Sequence, residues 1–327
     1  MSLTRALAAV AAIGFFGANS VVPASAQEWP THALTLVVPW AAGGGTDVMG
    51  RIMAPRMAEV LGQQVIVENI AGAGGMIGSS HVVKADPDGY TFVFGSRSDA
   101  IDMTLYKRPL YNLQNDLAPV VLVADQPTVL VARKDFPADN LKDFIAYLKQ
   151  NQSTVKLGSA GVGSTGGIDC ELFNRLIGVN IGEIPYRGSG PAMQDLIGGH
   201  FDYFCTISGS AAAPLQSNLV KGIAVFRHER LPSVPNLATS FEQGVDFEGS
   251  TWFGFLVPKA TPPAIIKKLH DASVAAMETK SVQDKLAVNG TYVVAPERRS
   301  TAYFKTFIDA EIEKNAAPLK AAGVSVE

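Results

Sequence analysis

From residue 34 onward, short runs rich in Val, Ile, Leu and Phe alternate with stretches in which apolar residues recur every three or four positions. Gly, Ser and Thr turns separate the two patterns. Runs of the first kind read as strands at 34–38, 65–68, 91–94, 120–124, 129–132, 156–159, 181–185, 201–206, 222–225 and 253–257. In the second kind, Val48, Ile52, Met53, Met57, Val60 and Leu61 fall at helical spacing before Gly62, a natural C-terminal stop, and Pro55 should kink that helix. Further helices are expected at 141–150, 168–178, 190–198, 263–279, 281–289 and 300–322. Strand-turn-helix alternation of this sort predicts an α/β fold on a mostly parallel sheet.

The N-terminus follows neither pattern. Arg5 precedes an apolar run over 6–16, and a weakly polar stretch ends in Ala24-Ser25-Ala26, the form of a secretory leader cleaved near Ala26. The apolar run is too short to span a hydrocarbon core of about 30 Å. The remaining chain of about 300 residues exceeds what one core organises, so two domains are expected. Two segments have the composition of crossings between them: Pro109, Tyr111, Asn112 and Asp116, and then 227–249, rich in Pro, Asn and Ser. The division is therefore a leader at 1–26, a first lobe from 27–112 and 228–327, and a second lobe at 113–227, with a hinge at the crossings and a cleft between the lobes.

The formal charge of -3 includes Arg5 of the leader and no basic block, which argues against nucleic acid as a partner. Two cysteines, Cys170 and Cys205, lack neighbouring His pairs, so neither a metal site nor any cofactor is expected. Export would allow a disulfide, and two separate buried thiols fit equally well.

Candidate chemistry lies in the glycine-rich turns. In Trp40-Ala41-Ala42-Gly43-Gly44-Gly45-Thr46-Asp47, the glycines let backbone N–H groups approach a ligand, and the helix start that follows favours an anion. Thr46 is the better direct donor there; Asp47 is either a helix cap or a ligand contact. No Lys-Ser/Thr follows, so this is not a nucleotide P-loop. A second turn, Ser159-Ala160-Gly161-Val162-Gly163-Ser164-Thr165-Gly166, also satisfies G-x-G-x-x-G, but its position in mid-chain and the predicted export speak against a dinucleotide. It reads as a second anion cradle, with Ser159, Ser164 and Thr165 adding hydroxyls. A third glycine-rich joint at 69–78 reads as architecture. Ser96, Tyr186 to Ser189 and Ser208 follow strand ends, where α/β sheets bind ligands, and Trp40 and Trp252 are candidate walls. No complete G-x-S-x-G or H-E-x-x-H motif appears, so an enzyme is not expected; the rival would be a secreted serine hydrolase using Ser96 or Ser159 beside a histidine.

Taken together, Trp29-Pro30, the segments 36–47 and 61–78, Pro87-Asp88-Gly89-Tyr90-Thr91, 158–165, Pro185-Tyr186-Arg187-Gly188-Ser189-Gly190-Pro191-Ala192, Leu231-Pro232-Ser233-Val234-Pro235 and Trp252-Phe253-Gly254 carry a likeness. Over essentially its whole mature length the chain resembles the extracytoplasmic receptors of tripartite tricarboxylate transporters, the Bug family of periplasmic binding proteins. The resemblance implies a two-lobed Venus flytrap of type II kind with two crossings, periplasmic and monomeric. It would close on a small di- or tricarboxylate or aromatic acid, gripped by the turns at 43–47 and 159–165, and deliver it to a membrane permease. A partner of a periplasmic sensor would share the same site. Gly167-Ile168 stands where the family commonly has His-Leu, and Trp40 where Phe or Tyr is frequent, so a wider pocket for the ligand's distal end is expected.

Overall fold

The computed structural model describes residues 29–321, so the leader expected at 1–26 lies outside the described residues. The apolar run Leu34–Val38 forms β1, and Gly45–Leu61 forms α1, which runs on through Pro55 and ends at Gly62 in the left-handed region open to glycine. Next come β2 (Val65–Asn69), a 3-10 turn at Ala73–Gly75, α2 (Met76–Val83), β3 (Thr91–Ser96), α3 (Arg97–Leu105) and the single turn α4 (Leu113–Asp116). The middle of the chain holds β4 (Leu117–Arg133), α5 (Leu141–Asn151), β5 (Leu157–Ser159), α6 (Thr165–Leu176), β6 (Glu183–Pro185), α7 (Ser189–Ile197), β7 (Tyr203–Ile207), α8 (Ser208–Gln216) and β8 (Val220–Val225). It closes with β9 (Ser250–Pro258), α9 (Pro263–Glu278), α10 (Lys280–Val288), β10 (Tyr292–Val293) and α11 (Thr301–Ala321).

The strands of the described residues join one sheet in the order β2-β1-β3-β9-β4-β7-β5-β6, with β8 and β10 also paired to β4. β1 is parallel to β2 and β3, and β5 is parallel to β6 and β7. β9 is antiparallel to β3 and β4, and β4 to β7, β8 and β10. The sheet is thus mixed rather than mostly parallel. The chain leaves the first half along β4 and returns along β9, and neighbours that traverse one gap in opposite senses must pair antiparallel.

The strands expected at 120–124 and 129–132 are one. Polar Asp125-Gln126 and Pro127 interrupt the apolar pattern, but β9 keeps this stretch extended through Asp125↔Trp252, Gln126↔Thr251 and Pro127↔Ser250. Pro127 occupies the last register position with β9, where a missing N–H is tolerated.

Leu36, Phe94, Leu122, Phe255 and Phe304 belong to one buried cluster built from both ends of the chain. Beyond Pro127, alternate residues of β4 face opposite ways: Leu130 and Ala132 join Phe144, Phe173 and Tyr203, whereas Val129 and Val131 join Phe204 and Val225. Leu113 and the stretch 117–124, expected in the second lobe, pack in the first cluster. Leu231, Val234 and Leu237, expected in the first lobe, pack beside Val129, while Val245 and Phe247 pack beside Phe144 and Phe173. Side-chain packing therefore passes from the first cluster to the other two along β4, near Pro127. Cys170 on α6 and Cys205 on β7 are disulfide-bonded with their Cα atoms 5.5 Å apart, which decides between the two states their spacing left open.

Candidate functional site: a cavity ringed by helix starts

The first turn is held in shape by Asp47. One carboxylate oxygen accepts the Gly43 N–H at 3.0 Å; the other accepts Arg51 Nε at 3.0 Å and Asn69 Nδ2 at 2.9 Å. Asn69 Nδ2 also donates to the Trp40 carbonyl at 3.0 Å, so the whole loop is tied to β2. Burial pushes the Asp47 carboxyl up, but Arg51, the Gly43 amide and Asn69 together hold it below the usual value. With both oxygens engaged, Asp47 shapes the loop and turns its charge away from the cavity. Gly44 caps α1 without a side chain, and the first-turn amides behind it have no carbonyl one turn back within the helix.

In the second turn, the Ser159 hydroxyl accepts the Gly161 N–H at 3.2 Å, and the Ser164 hydroxyl caps α6 by accepting the Gly167 N–H at 3.3 Å. Gly161 has φ +124°, and a Cβ there would stand 2.9 Å from the Tyr186 carbonyl oxygen, so glycine is required on both counts. Across from this turn, Ser96 caps α3 in a capping box with Asp99. Ser98 in the first turn of α3 accepts the Thr165 N–H at 3.1 Å, and the Thr165 hydroxyl reaches Thr251 at 3.3 Å. The two lobes also meet through Ala41 N–H to the Arg187 carbonyl at 2.9 Å and Gly45 N–H to the Ser210 hydroxyl at 2.8 Å.

These contacts enclose a cavity of about 40 Å³, room for a few water-sized groups. Among the described residues, five helices, α1, α3, α6, α7 and α8, begin at its wall, through Thr46, Ser98, Thr165, Ser189 and Ile207. Each helix start carries N–H groups with no partner within its own helix, some of them met by side chains such as Ser98 and Ser210, and a partial positive charge of roughly half a unit. No acidic or basic side chain lines the cavity; hydroxyls of Ser, Thr and the apolar groups of Trp40, Ala160, Ile207 and Phe253 do. An arrangement of that kind stabilises an anion with dipoles instead of a counter-ion. The disulfide ties α6 to β7, so the walls bearing Thr165 and Thr206 move as one.

Of the residues singled out from the sequence, Trp40, Gly44, Thr46, Ser96, Ala160, Ser164, Thr165, Gly166 and Ser189 meet at this cavity. The others stand behind it. Gly45 packs on Gly209 and Ser210; Ser159 and Gly161 bond each other. Gly163 covers Asp102, the Tyr186 hydroxyl donates to Asp195, and the Ser208 hydroxyl donates to the Gly290 carbonyl at 2.7 Å. Trp252 packs edge-on against Phe304 and Phe307, away from the cavity, and Phe253 supplies the wall instead. Ser98, Thr206, Ile207 and Thr251 went unnoticed. The segment Ser96-Arg97-Ser98-Asp99 is an S-x-x-D capping signal directly after a strand and could have revealed α3; α8, rich in small residues and carrying Pro214, offered no comparable cue.

Nothing in the hydrogen bonding of Ser96 or Ser159 resembles an activated nucleophile. The Ser96 hydroxyl accepts from Ser98 N, the Ser159 hydroxyl contacts Gly161 N and Glu183, and no histidine lines the cavity. Among the described residues no cluster of His, Cys, Asp and Glu is suited to a metal, and no helix is long and apolar enough to cross a membrane.

The family model described as the tripartite tricarboxylate transporter family receptor matches residues 49–324. The chain belongs to this receptor family. Protein BugT of Bordetella pertussis is 34% identical over 332 residues, covering 100% of both chains. Among solved structures, the periplasmic binding protein BugD superposes with a TM-score of 0.88 at 34% identity, over 91% of this chain and 100% of its own. MatC of Rhodopseudomonas palustris, solved with bound malate, gives 0.86 at 33% identity, over 89% and 100%. The receptor family is one of two-lobed periplasmic binding proteins, and the mixed sheet and double crossing found here are that fold.

Proposed function

We propose that this chain is an exported receptor that captures a small carboxylate between its lobes and hands it to a membrane permease of the tripartite type. One observation carries the reading: five helix starts and a ring of hydroxyls converge on a cavity with no charged side chain, and they come from both lobes. Such a site fits a carboxylate whose charge is delocalised and which accepts several hydrogen bonds at once. Malate in the MatC relative supports the same ligand class.

We place the lobe boundary at Pro127 and Ser250, where β4 and β9 run side by side and the packing changes hands. Thr46 and Ser96 then belong to one jaw, Ser164, Thr165 and Ser189 to the other. A ligand bridging them stabilises the shut state over the open one. Titration calorimetry against mono-, di- and tricarboxylates and aromatic acids tests the reading. Saturable binding of at least one acid, lost in a Thr46→Val, Thr165→Val double variant, is expected. Failure of every acid to bind would overturn it.

A further inference from the structure

One turn along α3 from Ser98 lies Asp102, which is 0% exposed. Neither of its carboxyl oxygens has a hydrogen-bond partner. An ionised carboxylate in that position would be costly, since nothing replaces the water it has lost. The surroundings make it worse. On its own helix Asp99 is also buried, and its charge acts on Asp102; Asp99 itself accepts from Ser79, Tyr111 and Ser96 N. Tyr111 and Tyr106 approach from the loop beyond α3, and the negative charge of Asp102 acts on both. Glu183 on β6, in the opposite lobe, acts on Tyr106 from the other side. Its helix neighbours Ile101 and Leu105 pack with Ile168 and Leu319 in one buried apolar cluster.

The cover over Asp102 comes from the other lobe. A Cβ on Gly163, in the second anion turn, would stand 3.2 Å from Asp102 Oδ1 and 3.0 Å from Leu105 Cδ2. Glycine at that position, with φ +82°, lets the turn settle directly onto the carboxyl group. A separation of the lobes would lift Gly163 away and return Asp102 to water.

We infer that Asp102 couples closure to proton uptake: the shut, ligand-holding state carries Asp102 as a neutral carboxylic acid, and opening releases that proton to solvent. The inference rests on the receptor reading and adds its regulation. Burial first, and the charge of Asp99 second, push the Asp102 carboxyl well above its usual value in the shut state. In the open state it returns toward the ordinary carboxylate range. The shut state therefore binds more protons, and affinity rises as pH falls through the shut-state value, by at most about tenfold per unit. Above that value the penalty of holding a buried carboxylate is fully present. The sign favours capture in an acidified exterior and release at higher pH.

The test is calorimetry with malate, or with whichever acid of the panel binds, between about pH 5.5 and 8 in two buffers of different ionisation enthalpy. Wild-type protein should take up as much as one proton per ligand, more than Asp102→Asn, which should bind more tightly than wild type near pH 8 and show the flatter profile. Protons taken up by the ligand or by Glu183 appear in both proteins and cancel in the difference. Equal uptake and equal slopes in the two proteins would overturn the inference while leaving the receptor reading intact. If no acid binds, the receptor reading fails first, and small-angle scattering of the free protein decides the proton link. Wild type should compact as pH falls and Asp102→Asn should be compact throughout; identical, pH-independent profiles would overturn it. Asp102→Leu, which removes the polar group altogether, serves in place of the amide should that variant not fold.

Discussion

Closure brings two backbones together at Gly45, so adding one methyl group there separates binding from folding. A Cβ on Gly45 would stand 2.9 Å from the Gly209 carbonyl carbon, 3.0 Å from the Ser210 nitrogen and 2.9 Å from Ile207 Cδ1. Ordinary carbon contacts lie at about 3.5–4.0 Å, so the lobes would have to stand off by roughly 0.5–1 Å. Ile207 can rotate away, but the α8 backbone cannot. Overpacking of this order costs about 1–3 kcal/mol, and here it falls on the shut state alone. At 1.4 kcal/mol per tenfold, affinity should drop by about 5- to 150-fold. Within its own lobe the same methyl does no harm, because Gly45 opens α1 with ordinary backbone angles and alanine is the better helix former by up to about 1 kcal/mol. Calorimetry with the best-bound acid, paired with a thermal melt of the free protein, reads both effects. Gly182→Ala, at a position with open space around it, is the control. Wild-type affinity in Gly45→Ala, or a loss of affinity matched by a collapse in ligand-free stability, would refute the reasoning.

Three further outcomes follow from the contacts described. Replacing Cys170 and Cys205 by Ser opens a link across 35 residues and should cost about 3–4 kcal/mol in a denaturant melt, an effect that reductant reproduces in the wild type. Arg97 on α3 and the buried Asp169 on α6 meet across the two jaws at 2.8 Å, so Arg97→Ala should strand Asp169 in the shut state and weaken ligand binding, by the equivalent of about 3–5 kcal/mol; Arg97→Ala combined with Asp169→Asn should recover much of that loss. Asp47→Asn should leave the fold intact and weaken ligand binding by loosening the first turn. Because the Asp47 carboxyl is held below its usual value, its contribution to wild-type stability is present above about pH 4 and is lost as pH falls further, a feature absent from the variant's acid melt.

Elements whose signal is local were readable from the chain. β1 has the predicted bounds because the β-rich run Leu-Thr-Leu-Val-Val stops at Pro39, and α1 has a continuous apolar stripe with a glycine stop. Both glycine-rich turns at the cavity were visible because each stands between a strand and a helix start. What escaped depends on residues distant in sequence. β4 reads as two strands until β9 is known to lie beside Asp125–Pro127. The crossings were expected in Pro- and Asn-rich segments; the boundary proposed here lies in the paired strands β4 and β9, which leave no compositional trace. α6 begins at Thr165, ahead of the first apolar residue of its stripe, so its N-terminus enters the cavity where periodicity alone places a loop. Asp47, Ser159 and Gly161, grouped with the ligand contacts, make hydrogen bonds within the turns, because the chemistry that suits an anion also suits the backbone amides of a tight loop. Asp102 drew no notice at all, since nothing in Ser-Asp-Ala-Ile-Asp marks a carboxyl that another lobe will cover.

The most direct measurement is a crystal structure of the protein with the acid it binds best. One carboxylate should lie between the lobes, within about 3 Å of first-turn amides or hydroxyls at Thr46 and at Thr165 or Ser164, with no Arg, Lys or His side chain touching it. A ligand carboxylate neutralised by a basic side chain, or held by one lobe alone with the other helix starts facing solvent, would contradict the account.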